Sequence, residues 1–399
     1  MNYEEPFRSC YLFGALRYLA NLKDTVCLIH GPTGCSFFCR NSVMILNGYK
    51  DTVEHSGPRI FSTCFNDDDV VFGGQKKLER AINDIYNKYH PKIIFVLNCC
   101  VTEIIGENIK DVANLLGDKL GCKIFTLNSA GFKGDHKVGM INAGNLLIDS
   151  LSDNNINKEK NTLNILGEFN INLNTTQELK KYLTAGRIKV NTIFPATSTI
   201  EEINNIGSAE LNYVVCNNAS KNIAKKLENK FNIHSIYNNF GFFGVENSYS
   251  ILEEIFNFFN IKNRDYQNIY IKTKKELKKF YDKLNGKTAI IISGNRRSLG
   301  YANLLNELGI KIKCIFTEKS LEEFNKEDYY KFTDKVLIEE NSDDLRKIIE
   351  ELKPDFVFST FGEIVYPYKT IFRPKEDFAG FEGAIRFAEY LVNYEGGKR

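Results

Sequence analysis

Short apolar runs alternate with longer amphipathic segments along this chain, and the alternation predicts its architecture. Val26 to Ile29, RIFSTCF at 59–65, KIIFVL at 92–97, CKIFTL at 122–127, Leu163 to Leu166, Val190 to Phe194 and Leu211 to Val215 read as short strands. TAIIISG, IKIKCIF, VLIEE and DFVFST continue the series after residue 286. Between the runs, apolar positions fall at helical spacing. They include Leu12, Ala15, Leu16 and Leu19 in residues 7–21, with Cys10 in the first turns; Leu78, Ile82, Ile85 and Tyr86; and Ile223, Ala224 and Leu227. Strand, turn and helix in repeated order predict α/β architecture, with parallel sheets covered by helices on both faces.

Polar stretches divide the repeat. SDNNINKEKN, residues 152–161, has the composition of a linker, and a charged helix over 264–285 leads to the strand at Thr288. Three domains are expected, 1–157, 158–285 and 286–399, each a doubly wound, Rossmann-like parallel sheet. Capping boxes are expected at Thr175 with Glu178 and at Ser198 with Glu201. The C-terminal segment ends in a predicted helix, expected to fold back on the first domain.

The totals narrow the function classes. With 52 basic and 50 acidic residues in 399, the net charge of +2 does not imply nucleic acid or an anionic membrane. No run reaches the roughly 18 apolar residues of a membrane span, and MNYEEPFRSC lacks a signal-peptide pattern, so a cytoplasmic location is expected. In that compartment ten cysteines point to metal or catalysis before disulfides, and seven of them fall in the first 100 residues.

Within that group, DTVCLIHGPTGCSFFC at 24–39 presents Cys35 at the mouth of a strand-to-helix turn, where amides favour thiolate. Gly31, Pro32 and Gly34 break the strand before it. KIIFVL runs directly into Asn98, Cys99 and Cys100. Cys10, Cys35 and Cys100 share no local spacing, so only the fold can gather them, along the edge formed by the C-terminal ends of parallel strands. Three thiolates from one chain suit an iron–sulfur cluster whose remaining ligation comes from a second chain, and suit a zinc site less well.

RSCYLFG, IHGPTGC, FNDDDVVFGGQKKL and CVTEIIGENI, in that order, resemble the successive N-terminal signatures of nitrogenase component 1. That family includes nitrogenase α and β subunits, cofactor-assembly scaffolds and tetrapyrrole reductases. The resemblance extends more weakly through LNYVVC and IIISGNRRSLG. It implies three domains around a central cleft, with Cys10, Cys35 and Cys100 as ligands of a 4Fe-4S or P-cluster-like iron–sulfur cluster. Gly34, Gly73 and Gly74 belong to the same signatures as cofactor-binding positions. Cys216 would be a cofactor-side ligand and catalytic residue, and Arg296 a residue of the same pocket. The cleft would take a second metallocofactor or a tetrapyrrole substrate.

The resemblance further implies an oxidoreductase subunit, partnered by an identical or paralogous component 1 chain and receiving electrons from a separate ATP-dependent iron protein. The alternative it carries is a scaffold for metallocofactor assembly. This chain departs from the α-subunit pattern in one respect: YPYKTIFRPKEDFAGFEG lacks the histidine that completes cofactor attachment there. Cys39 and Cys99 are additional to the matched cysteines and are read as residues around the site. His30 is expected to be a turn or core histidine, and Asp67 to Asp69 to cap a helix or face solvent. Gly286-Lys287-Thr288 precedes a strand and lacks the first glycine of a phosphate loop, so ATP is expected to bind elsewhere.

Overall fold

The computed structural model describes residues 9–46, 59–153, 155–170, 174–262, 264–318, 326–338, 342–359, 370–372 and 378–394. Its first unit contains α1 (Tyr11–Leu19), β1 (Thr25–His30), α2 (Thr33–Leu46), β2 (Ile60–Ser62), α3 (Asp67–Phe72), α4 (Gln75–Tyr89), β3 (Ile93–Asn98), α5 (Cys100–Ile104), α6 (Ile109–Leu120), β4 (Lys123–Leu127) and α7 (His136–Leu151). The second contains β5 (Thr162–Glu168), α8 (Asn174–Ala185), β6 (Lys189–Pro195), α9 (Ile200–Asn204), β7 (Leu211–Val214), α10 (Asn217–Phe231), β8 (His234–Tyr237), α11 (Val245–Phe258) and α12 (Tyr266–Leu284). The third contains β9 (Thr288–Ile292), α13 (Asn295–Glu307), β10 (Lys311–Thr317), α14 (Lys326–Tyr330), β11 (Val336–Ile338), α15 (Ser342–Leu352), β12 (Phe356–Ser359), β13 (Thr370–Phe372) and α16 (Gly380–Asn393).

Three parallel sheets result. Their orders are β2-β1-β3-β4, β6-β5-β7-β8 and β11-β10-β9-β12-β13. Each order reverses beside its first strand, between β1 and β3, β5 and β7, and β9 and β12. Such a switch point parts the flanking loops and opens a crevice at the strands' C-terminal ends. Cys35 follows β1, Cys99 and Cys100 follow β3, Cys216 follows β7 and Arg296 follows β9, so the candidate residues sit at these crevices. The flanking strands are locked in register, with Thr25 opposite Ile93 and His30 opposite Asn98 along the fully buried β1.

The units share cores. Tyr18 of α1, Leu147 of α7 and Ile223 and Leu227 of α10 join one apolar cluster, and the Tyr18 hydroxyl meets Ser220 Oγ at 2.8 Å. A second cluster runs from Leu163 through Leu304 to Phe387, binding the second sheet to the third.

Several expectations shift. Cys10 is the N-cap of α1 and lies outside its turns. The strand β8 was not anticipated. The second capping box is formed by Thr199 and Glu202, one residue later than expected. The first box, expected at Thr175 with Glu178, falls partly outside the described residues; the Glu178 carboxylate accepts the Phe381 and Glu382 backbone N–H groups at 2.8 and 3.2 Å in the first turn of α16. α16 packs on α8, α11 and α12 of the second unit, where Phe381, Ala384 and Phe387 join the apolar cluster, instead of folding back on the first unit as expected. His30 is fully buried, as expected, with Nδ1 3.1 Å from Thr63 Oγ1. Asp69 closes a capping box with Asn66 at the start of α3.

Candidate functional site

Five thiols gather where α1, α2 and α5 meet. Cys10 is held at the mouth of α1 by an antiparallel bridge to Asp135 and by the His136 N–H donating to Ser9 O at 2.9 Å. Cys35 lies in the first turn of α2, and Cys39 follows one turn later on the same helix. Cys99 is the N-cap of α5 and Cys100 its first residue. Gly131 sits between the parts: its N–H donates to Cys100 Sγ at 3.1 Å, and a Cβ there would lie 3.2 Å from Cys10 Cβ and 3.3 Å from Cys100 Sγ. The fold thus brings Cys10, Cys35 and Cys100 to one edge.

Burial sorts these thiols. Cys35 and Cys100 are exposed and Cys10 half-buried, whereas Cys39 and Cys99 are buried. The Cys39 thiol hydrogen-bonds Cys10 and lowers its pKa to about 6; Cys99 does the same for Cys35, to about 7. Those bonds, then burial, push Cys39 and Cys99 in the opposite direction. Cys10 and Cys35 are therefore disposed to be thiolates, the form that binds iron, and Cys39 and Cys99 to stay protonated. Among the described residues no group of three or more His, Cys, Asp or Glu is arranged to hold a single metal ion. Open-edged thiols spread over three elements fit a multinuclear cluster better than one ion.

The candidate glycines divide. Gly73 and Gly74 turn to Glu107 instead of the thiols, with the Gly74 N–H donating to its Oε1 at 2.6 Å. A Cβ at Gly34 would meet nothing within 4 Å, so no close packing requires glycine there.

A second site lies where the three units converge. Cys216, the half-buried N-cap of α10, stands close enough to Arg17 of α1 for their charges to interact. Arg296 and Arg297, from the first turn of α13, and Glu318, just past β10, act on Arg17 as well. Desolvation, opposed by Cys216, brings the Arg17 guanidinium down to about 10, and its face rests on Phe169 at 4.8 Å. Lys137 of α7 is 3% exposed, its Nζ 3.8 Å from Glu318 Oε2 and without a hydrogen-bond partner among the described residues. His136 Nε2 lies 3.6 Å from the same carboxylate oxygen, and burial lowers its pKa. One carboxylate thus faces several cations, an arrangement that favours an anion in the cleft.

Sequence reasoning missed Arg17, Lys137 and Gly131. Arg17 had a signal, as the one charge within the otherwise apolar α1, YLFGALRYL. Lys137 and Gly131 lie in the mixed stretch AGFKGDHKVG, where nothing distinguishes them from solvated residues.

Fold and sites define a three-domain α/β protein whose candidate residues stand at the switch points of its sheets. The chain belongs to the nitrogenase component 1 type oxidoreductase family, whose profile matches residues 10–394. It is 30% identical to the nitrogenase iron-molybdenum cofactor biosynthesis protein NifE of Methanococcus maripaludis, over 96% of this chain and 82% of that one. Against the nitrogenase molybdenum-iron protein alpha chain of Clostridium pasteurianum, identity is 26% over 93% of this chain and 82% of the relative. The solved structure of nitrogenase Cp1 at pH 5 superposes with a TM-score of 0.83 at 26% identity, covering 98% of this chain and 90% of that one.

Proposed function

We propose that this chain is one subunit of a scaffold for nitrogenase-type metallocofactor assembly, holding a metal–sulfur precursor in the interdomain cleft and releasing it. The observation that carries this reading is the cleft itself, where one thiol, Cys216, is accompanied by Arg17, Arg296, Arg297 and the buried Lys137. A site built of charge with a single soft ligand retains an anionic cargo yet lets it leave. The stretch from Tyr366 to Gly383 contains no histidine to add a second anchor, although much of it lies outside the described residues. NifE proteins among the relatives support the same reading.

In this reading Cys10, Cys35 and Cys100 hold an iron–sulfur cluster, which supplies one-electron redox capacity when bound. A second component 1 chain covers that edge. Phe37, Phe38, Val71, Phe72, Ile104 and Phe132 are exposed on the helices and turn around the thiols, an apolar collar of the kind that marks a protein interface. Electrons come from a separate ATP-dependent iron protein.

The second reading, a catalytic reductase subunit, is favoured by the molybdenum-iron alpha chain relative and its shared fold. Anaerobically purified complex separates the two. Cys216→Ala should lose the cleft cargo while the edge cluster's spectrum persists. Transfer of the cargo to a cofactor-free component 1 acceptor supports the scaffold; sustained ATP-dependent substrate reduction with the cargo retained supports the reductase. Colourless, iron-free protein would remove both.

A further inference from the structure

Cys216 owes its place to contacts from two units. It is the N-cap of α10, and the Ser220 N–H four residues on donates to its carbonyl at 3.0 Å. The residue before it is fixed as well, the Val215 N–H donating to Leu166 O at 2.8 Å. Gly167, at φ +91°, lets the end of β5 pass close by: a Cβ there would stand 3.0 Å from Cys216 N, 3.0 Å from Ser220 Oγ and 3.1 Å from Cys216 Cβ. The remaining hold comes from the first unit. Tyr18 of α1 and Ser220 are both 0% exposed, and their hydroxyls hydrogen-bond at 2.8 Å across 202 residues of sequence. The Tyr18 ring stands edge-on to Phe169, with centroids 5.1 Å apart and planes at 86°, and lies 5.6 Å from Phe194. Gly144 of α7 makes room for this packing: a Cβ there would lie 2.6 Å from Ile223 Cδ1 and 3.3 Å from Tyr18 Cε1. Replacing both hydroxyls of such a pair by apolar atoms costs little stability, so what the pair adds inside an apolar cluster is a fixed geometry.

Resting on the reading of Cys216 as the cargo's single soft ligand, we propose that Tyr18 and Ser220 are positioning residues: their hydrogen bond fixes the first turn of α10 against α1 and so sets where Cys216 meets the cargo. Groups that orient a ligand from behind govern how well it holds a metal. Cargo retention in the cleft then depends on the docking of the first unit on the second, through a contact that touches neither the cargo nor the thiol edge.

The test uses the complex purified anaerobically with its cargo. Release to a cofactor-free component 1 acceptor is timed, the electron paramagnetic resonance spectrum of the bound cargo is recorded, and urea midpoints are taken on cargo-free protein. Tyr18→Phe and Ser220→Ala should each release cargo severalfold faster and change its spectrum. The double variant separates positioning from stability alone. With both hydroxyls gone no buried group is left unpaired, so its urea midpoint should recover toward wild type while release stays fast. Wild-type release and spectrum in both single variants overturn the proposal, and so does release that recovers in the double variant together with the midpoint. Crystal structures of the cargo-free wild-type and double-variant proteins read the position directly: Cys216 should move relative to Gly167, and superposable first turns of α10 overturn the proposal. If Cys216→Ala retains cargo as the wild type does, it is the cargo reading that fails, and the two crystal structures still decide the positioning.

Discussion

Cys10 and Cys35 are set apart from Cys39 and Cys99 by exposure and by the direction of their hydrogen bonds. Their neighbouring thiols hold Cys10 down to about 6 and Cys35 down to about 7, so both lean toward thiolate near neutral pH. Thiolate is the form that reacts with alkylating agents. In metal-free, reduced protein at pH 7, iodoacetamide should label Cys10 and Cys35 well before Cys39 and Cys99, and Cys10 labelling should fall as pH drops through 6. Peptide mass spectrometry over a time course measures this; equal rates at all four positions would contradict the pairing. The matched cysteines were readable in the chain because motif order singled them out. The pairing was not, since Cys10 precedes α1 and Cys39 lies within α2, and the two meet only when α1 packs against α2.

At the scale of elements, carboxylates tie one unit to another. Glu307, on α13, accepts the N–H groups of Val245 and Glu246 at 2.7 and 3.0 Å and so caps α11 from outside. Burial raises its pKa from 4.5 to about 7 despite these donors. Below pH 4.5 the folded and unfolded chains both carry the proton. Between 4.5 and about 7 the unfolded chain loses it while the folded chain keeps it, so this group's contribution makes stability fall with rising pH and level off above 7. Urea midpoints across that window should decline more steeply for the wild-type protein than for Glu307→Gln; parallel profiles would show that Glu307 is not the source. Neither contact could be assigned from the sequence, where Glu307 reads as an ordinary helix carboxylate and Glu178 as the capping-box partner of Thr175. Their partners lie 62 and 203 residues away.

For the whole molecule, the thiol edge and its apolar collar couple metal binding to assembly. Cys35→Ala should lower both iron content and the proportion of assembled complex in size-exclusion chromatography. Wild-type iron in each of the Cys10, Cys35 and Cys100 Ala variants would exclude the assignment. The isolated chain should show no tight, stoichiometric ATP binding by calorimetry. At Gly286-Lys287-Thr288 the backbone turns into a strand instead of cradling an anion, with the Gly286 N–H donating to Gly309 O and the Thr288 N–H to Asp355 Oδ2. We propose domain boundaries at 157/158 and 285/286, with α16 crossing back to pack on the second unit.

What the sequence determined by itself was local: strand–helix alternation, the cysteines waiting at strand ends, the missing phosphate loop and the family signatures. Period and composition encode such features within a few residues of one another. Tertiary structure alone decided which thiols pair, that Glu178 caps α16, and that Arg17 and Lys137 join Cys216 and Arg296 at one cleft. The physical reason is distance along the chain. Parallel sheets need long crossovers between neighbouring strands, so residues adjacent at a switch point are far apart in sequence and no local pattern connects them. Burial then supplies the chemistry. A lysine reads as a solvated charge until packing removes its water, and a cysteine as a core thiol until its neighbour proves to be another cysteine.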